Sequence, residues 1–483
     1  MGIVLRQSVK NLVFTYLGFA FGAVNTLFLF TYFLSKEQYG LVSYVSSVAT
    51  ILAPLLSFGV GNTLIRYYSA YPEAREQGKL SLMLWLLPLL AIVPCALIGI
   101  VGYEHIAGWL SATNPIVGDY LLLIFLTSVV MAYFEVAYAW AKVQLRTVYG
   151  NFLKEVFHRV GISALLVCIY LEIITFEQLM WGVFWVYFVR MLLMMIAAFR
   201  LQSPRFVWGL PAGHKEVLLY SLFIILSGSI ASLLMDIDKF MLNQYVNIGE
   251  IAVYNVAIFT ATVIAIPYRS MYQIVSPLTA QFMNRGEEAS LHDLYRRSTT
   301  VAYLLSMLIF VLIIANAKQF YALLPDKDYS SGIAVLVLVS LVKLSDSFFG
   351  FNNAVLLNSP YYRTVLYLSV FLVISAVLLN MWLIPLYGIN GAGFATLCAF
   401  IAYNLLKAYF VYYKYQLTPL YPATIKTTLL GVGCVAAFTF WDFSFSPLVN
   451  IALKSVAIAA VYVGVGFRIK LVVRSEDGRR LRS

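Results

Sequence analysis

Ile162-Ser163-Ala164-Leu165-Leu166 returns 212 residues later as Ile374-Ser375-Ala376-Val377-Leu378. At the same offset, without gaps from about residue 128 to residue 171, Ser128 meets Ser340, Leu145 meets Leu357, Tyr149 meets Tyr361 and Leu171 meets Leu383. Further upstream Phe28 meets Phe240, and Glu135 falls one position from the partner of Asp346. Apolar stretches agree by chance at single positions, but a constant offset over such a length implies an internal duplication.

The duplicated units are sets of membrane spans. Of 483 residues, 61% are hydrophobic and 11% charged, against about 45–50% and about 25% in soluble domains. Mean hydropathy is +0.84. A soluble core stops growing beyond about 250–300 residues, so no soluble fold hides this much apolar surface. Disordered, fibrous and nucleic-acid-binding chains are excluded on the same grounds. Fourteen apolar runs, the first at roughly 11–34 and the last at roughly 446–467, each approach the ~20 residues that cross a bilayer.

The net charge of +11 follows the rule that cytoplasmic loops collect Lys and Arg. With the N-terminus inside, the outer segments hold only Lys36, Lys239, Lys318 and Lys327. A wrong span count would scramble this alternation, so the chain is expected to have an even count with both termini cytoplasmic. The offset maps the first span onto the seventh and the sixth onto the twelfth. Six is even, so the two halves share one orientation and are expected to be related by a pseudo-two-fold axis along the membrane normal. The expected fold is all-α: two six-helix bundles, 1–212 and 213–415, then spans 13 and 14 within 416–470, and a basic cytoplasmic tail at 471–483. Two like bundles around a cavity suit alternating access.

Three segments carry a family resemblance. Asp238-Lys239-Phe240-Met241-Leu242 followed by Gly249-Glu250-Ile251-Ala252-Val253-Tyr254-Asn255-Val256-Ala257 resembles the junction of spans 7 and 8 in lipid-linked oligosaccharide flippases. Glu37-Gln38-Tyr39-Gly40 is similar to the matching junction of the first half, and Ile384-Pro385-Leu386-Tyr387-Gly388-Ile389-Asn390-Gly391-Ala392-Gly393-Phe394-Ala395-Thr396 to the turn between spans 11 and 12. Two departures are Ala252 where Gly is usual and Gly393 where Ala is common. Pro385 and Gly388 are expected to end one helix and turn the chain, and Gly391, Ala392 and Ala395 to let the next pack closely. The resemblance is to the polysaccharide-export, O-antigen-flippase-like branch of the multidrug/oligosaccharidyl-lipid/polysaccharide transporter superfamily. It implies a flippase for an undecaprenyl-pyrophosphate-linked oligosaccharide in the bacterial cytoplasmic membrane. Membrane lipids, and a polysaccharide polymerase or chain-length regulator, would be its partners.

Charge inside a span is expensive and usually faces a cavity or a partner. Arg190, in the sixth span, has no acid within a turn. Lys343 and Asp346, three residues apart in the tenth span, share a helix face. Arg190 and Lys343, one from each bundle, are expected to meet the diphosphate, with Arg269 and Arg66 as further substrate-binding candidates. Glu135, expected to be an unpaired acid in the inner third of the fourth span, and Asp346, Asp236 and Asp238 are the coupling candidates. Cys95, Cys168, Cys398 and Cys434 sit in apolar runs without metal-ligand spacing, and the four His are scattered, so no metal or cofactor is expected. No phosphate-binding glycine loop occurs, and the outer loops lack a Ser/His/Asp set. Two alternatives stay open: a cation-coupled antiporter for organic cations, which would need acids in its cavity, and a membrane-embedded glycan polymerase or ligase.

Overall fold

The computed structural model describes residues 2–205, 207–325 and 327–468. The basic tail expected at 471–483 lies outside them. Among the described residues every regular element is helical. Eleven helical runs are long and apolar enough to cross a membrane, so the chain is a multi-pass membrane protein. Their outward apolar residues, such as Ile98, Ile100, Val101 and Phe467, are exposed, as lipid-facing positions require.

The chain divides into two compact units, Met1–Asn255 and Val256–Ser483. The first holds α1 (Gly2–Val24), α2 (Lys36–Leu56), α3 (Val60–Tyr67), α4 (Ala74–Leu86), α5 (Leu89–Val101), α6 (Leu121–Val143), α7 (His158–Tyr170), α8 (Phe176–Leu201) and α9 (His214–Leu242). α10 (Ile248–Thr262) bridges the division. The second holds α11 (Ile266–Arg285), α12 (Glu288–Ala315), α13 (Ile333–Phe348), α14 (Tyr362–Tyr415), α15 (Pro422–Thr439) and α16 (Pro447–Arg468). The eleven runs do not include α9 or the stretch from Val148 to Tyr170, and α14 is one of them. A straight helix of 54 residues would be about 80 Å long, well beyond a hydrocarbon core of about 30 Å. Gly388, at φ 57° and ψ −134°, breaks it where the Pro385-to-Gly388 turn was expected. A 3₁₀ turn, Val263–Ala265, likewise separates α10 from α11, which carries Pro267 and Pro277.

Local rules set the starts. Ser35 and Thr175 open α2 and α8 with reciprocal capping boxes: each hydroxyl accepts from the backbone of Gln38 or Gln178, whose side chain accepts from the cap residue's N–H. Two junction segments singled out in the sequence pack together in the first unit. A Cβ on Gly40 would lie 1.9 Å from the Ile248 carbonyl oxygen, so only glycine allows this approach. Asn255 Nδ2 donates to the Tyr39 hydroxyl at 2.8 Å. The first unit's core gathers Val60, Leu64, Leu84, Phe134, Trp140 and Met194. The second builds one around Ile264, Val311 and Ile458 and another around Tyr295, Phe351 and Val355.

Candidate functional site: a cationic cavity in the first unit

Three irregular stretches frame a cavity. Helix α2 carries Pro54 and stops at Leu56. Phe58 and Gly59 follow with φ of 54° and 67°, and α3 restarts at Val60. A left-handed Phe costs about 1–2 kcal/mol, and Gly59 permits the second left-handed residue while its Cα faces the Ser221 carbonyl, 2.6 Å from where a Cβ would be. After α1 comes a π-helical stretch, Asn25–Leu29, and before α7 another, Leu153–Phe157. Such wide turns re-aim side chains and recur at functional sites. The two are tied together: Asn25 Nδ2 donates to the Arg159 carbonyl at 2.8 Å, and Ser163 Oγ donates to Asn25 Oδ1 at 2.6 Å.

The cavity measures about 480 Å³ and is lined from α2, α3, α6, α7, α8 and α9. Its charged members are Lys142, Lys154, Arg159 and Arg190 against Glu135 and Glu155, an excess of cations. Glu135, expected to be unpaired, is instead held in a tertiary pair: Lys154 Nζ donates to Glu135 Oε1 at 2.6 Å. Lys154 stands 19 residues on, delivered by the π-turn. Arg159 pairs with Glu155 at 3.4 Å. Both pairs keep partial exposure because they line open space.

Arg190 is different. It is only 6% exposed, and its guanidinium lies over the rings of Phe134, at 4.2 Å, and Tyr187, at 4.7 Å. Its Nε has no hydrogen-bond partner, and among the described residues no acid pairs with it. The His158 ring stacks on Tyr187, with 5.6 Å between centroids, and its Nδ1 is likewise unpartnered. Aromatic faces hold the arginine in place while leaving a hydrogen-bonding edge unused. Such a cation is poised for an anion, since leaving a buried charge unmatched is costly.

Arg190 and Glu135 are thus brought to one cavity. The other sequence candidates lie elsewhere. Arg66, on α3, is exposed and stacks on Tyr220 at 4.3 Å. Asp236 pairs with Lys239 at 3.0 Å, and buried Asp238 accepts from the Tyr254 hydroxyl at 2.7 Å. In the second unit Arg269 is exposed on α11. Asp346 on α13 accepts from Asn404 Nδ2 at 3.0 Å, while Lys343 Nζ lies 5.9 Å from the Phe400 ring centroid. Lys407, which the sequence reading passed over, is buried beneath Tyr403 at 4.3 Å. A cavity of the second unit, about 450 Å³, is walled by Met307, Phe310, Leu344 and Phe348 and is apolar. Lys142, Lys154, Glu155, His158 and Arg159 were also missed as site residues. Their signal was local: Lys154 with His158, and Glu155 with Arg159, recur at four-residue spacing in the first turns of an apolar span.

Residues 4–283, more than half the chain, match the polysaccharide biosynthesis protein family. The chain belongs to that family. No curated protein sequence matches it. Its fold is that of a lipid II flippase, MurJ, in an inward closed conformation: the TM-score is 0.75 at 14% identity, over 97% of this chain and 100% of that one. An inward-facing multidrug transporter of the MATE family follows the same fold, with a TM-score of 0.62 at 14% identity over 87% and 99%. So does a transporter of the same superfamily from Pyrococcus furiosus described as having a binding pocket of reverse polarity, at 0.56 and 14% over 86% and 95%. The family and this fold place the chain in the polysaccharide branch of the superfamily anticipated from its three motifs.

Proposed function

We propose that this chain flips an oligosaccharide carried on undecaprenyl pyrophosphate from the cytoplasmic to the outer leaflet of a bacterial inner membrane, by alternating access. The observation that carries the reading is Arg190, a desolvated guanidinium that forms no ion pair among the described residues, in a cavity where cations outnumber acids. A diphosphate meets a prohibitive barrier in a hydrocarbon layer of about 30 Å. Arg190, joined by Lys142, Lys154 and Arg159, replaces its hydration. The lipid tail stays in the bilayer, and the glycan passes through hydrated space. In the second unit Lys343 and Lys407 are the matching cations, with Asp346 as their modulating acid. Arg66 is a further candidate contact for the anion in the first unit and Arg269 one in the second, with Asp236 and Asp238 as secondary coupling acids. Protonation of Glu135 would free Lys154 for phosphate, which makes this pair the coupling element. The flipped product would pass to a polymerase with its chain-length regulator.

The antiporter reading requires acids free to meet an organic cation. In this cavity Glu135 and Glu155 are each bonded to a cation, which favours the anionic substrate. The test is export of surface glycan by cells carrying Arg190→Ala together with Lys154→Ala. Loss of export at normal membrane abundance supports the proposal, and near-normal export sinks it.

A further inference from the structure

A second cavity of the first unit, about 980 Å³, is not used by this mechanism. Phe14, Phe152, Met194, Ala197 and Leu201 give it an apolar wall. Its charged members are Lys10 and Arg146, with no acid in the lining. Neither forms an ion pair with a described residue. Lys10 opens the first membrane-crossing run, Arg146 lies just past the end of α6, and Leu201 closes α8. All three therefore stand at one membrane face, which the charge pattern reads as cytoplasmic.

The lip of this cavity is held under strain. Leu145 has φ 57° and a side chain 78% exposed, an uncommon state for a bulky residue. Gln7 keeps it there: its Nε2 donates to the Leu145 carbonyl at 2.9 Å and its Oε1 accepts from the Thr147 N–H at 3.3 Å. Asn11 adds a bond to the Thr147 hydroxyl at 2.9 Å. This lattice bolts the loop after α6 to α1 and sets Leu145 and Arg146 on the rim of one apolar hollow. The same loop leads into the π-turn that carries Lys154 and Glu155.

We infer that this hollow binds an anionic glycerophospholipid of the surrounding leaflet. Its phosphate would sit on Lys10 and Arg146, and an acyl chain against Phe14, Phe152 and Met194. Two cations without acids call for an anion, and the wall below them calls for hydrocarbon. Basic pockets between membrane helices on the cytoplasmic side bind anionic headgroups for this reason. The lipid would clamp the loop that positions the π-turn, outside the substrate cavity.

The full-length protein, purified in detergent and delipidated, would be titrated with phosphatidylglycerol, with phosphatidylcholine of the same chains, and with undecaprenyl phosphate. Retention would be read by native mass spectrometry. We expect phosphatidylglycerol to be retained at least tenfold better than phosphatidylcholine. Lys10→Gln with Arg146→Gln should weaken it about 30-fold, since each cation near anionic lipid contributes about a fivefold factor. Ala197→Phe, which fills the wall, should lower retention with both cations intact. Should that variant fail to fold, the surface glutamine pair still decides. Equal retention of the two phospholipids, or undiminished phosphatidylglycerol on the glutamine pair, would overturn the inference. So would one-for-one displacement of phosphatidylglycerol by undecaprenyl phosphate, because the hollow would then belong to the substrate.

Discussion

Replacing Arg190 by Met separates a structural cation from a ligand. The side chain is nearly fully buried and touches two aromatic faces at 4.2 and 4.7 Å. Each cation–π contact contributes up to about 2 kcal/mol when desolvated. Against that stands the burial of a charge that forms no ion pair among the described residues. Hydrophobic replacement of buried ionic groups is often neutral, or stabilising by about 1–4 kcal/mol. The two effects nearly cancel, and Met fills most of the volume that Ala would leave empty. Thermal unfolding in detergent should therefore move by only a few degrees. Binding should change far more. A guanidinium gripping a diphosphate with two charge-assisted bonds gains about 1.5–3 kcal/mol from each. Their loss weakens binding at least about 100-fold at 1.4 kcal/mol per decade. Arg190→Lys keeps the charge without the fork and should fall between. Isothermal titration with a detergent-soluble polyprenyl diphosphate checks the affinity. Affinity within about threefold of wild type for Arg190→Met, at unchanged melting, would refute the ligand role; this takes a tenfold step as 1.4 kcal/mol. A collapse of melting with affinity intact in the surviving fraction would make Arg190 a structural residue.

Further outcomes follow from single contacts. A Cβ on Gly18 would stand 2.4 Å from the Glu155 carbonyl oxygen and 2.7 Å from the Arg159 guanidinium, so Gly18→Val should cost about 1–3 kcal/mol by overpacking and impair export, read by melting and surface glycan. Glu135→Gln loses a half-exposed pair worth up to about 1 kcal/mol and frees Lys154; diphosphate affinity should rise up to about fivefold while transport slows, and a fall in affinity would count against the coupling role. Lys454 is fully buried and donates to the Ala315 carbonyl at 3.0 Å and to Asp442 at 2.7 Å. Lys454→Met should lower stability by about 2–3 kcal/mol, with transport retained by the folded protein. Single cysteines placed in 66–79, 142–154, 200–215 or 285–297 should resist an impermeant external label in intact cells; labelling of any of them would overturn the cytoplasmic assignment.

The membrane fold was legible because the bilayer imposes one length and one charge bias on every span. The turn at Gly388 was legible too, since a proline and a glycine three residues later interrupt an apolar run and Gly388 adopts a positive φ. The packing of Gly40 on the Ile248 carbonyl gives a physical reason for a motif that the sequence offered only as a likeness. The π-helical stretches at Asn25 and Leu153 were not legible. No residue type demands a wide turn, and neither Asn-Thr-Leu-Phe-Leu nor Leu-Lys-Glu-Val-Phe departs from ordinary helical composition. Those turns arise from tertiary bonds such as Asn25 to Arg159, which a linear reading does not contain.

The same limit explains the site. Arg190 stood out because it lies in mid-span without an acid nearby, where topology supplies no reason for a charge. Lys142, Lys154 and Arg159 did not stand out, because the rule that puts Lys and Arg at cytoplasmic ends had already accounted for them. That rule counts charges by segment and is blind to direction. Lys154 meets every topological requirement and still reaches Glu135 across the cavity, because an extra residue in its turn points it inward. A flippase of the proposed kind gains from this double use. In that proposal, cations at the cytoplasmic ends of spans would hold the orientation of the chain and, where a break such as that at Phe58 and Gly59 or a π-turn opens space beside them, would also form the first landing place for an anionic headgroup arriving from that leaflet. Arg190 then supplies what the rim cannot, a cation already stripped of water. The two classes of charge should separate by experiment: salt should weaken diphosphate capture through the exposed lysines, which screening reaches, and leave the contribution of Arg190 largely intact.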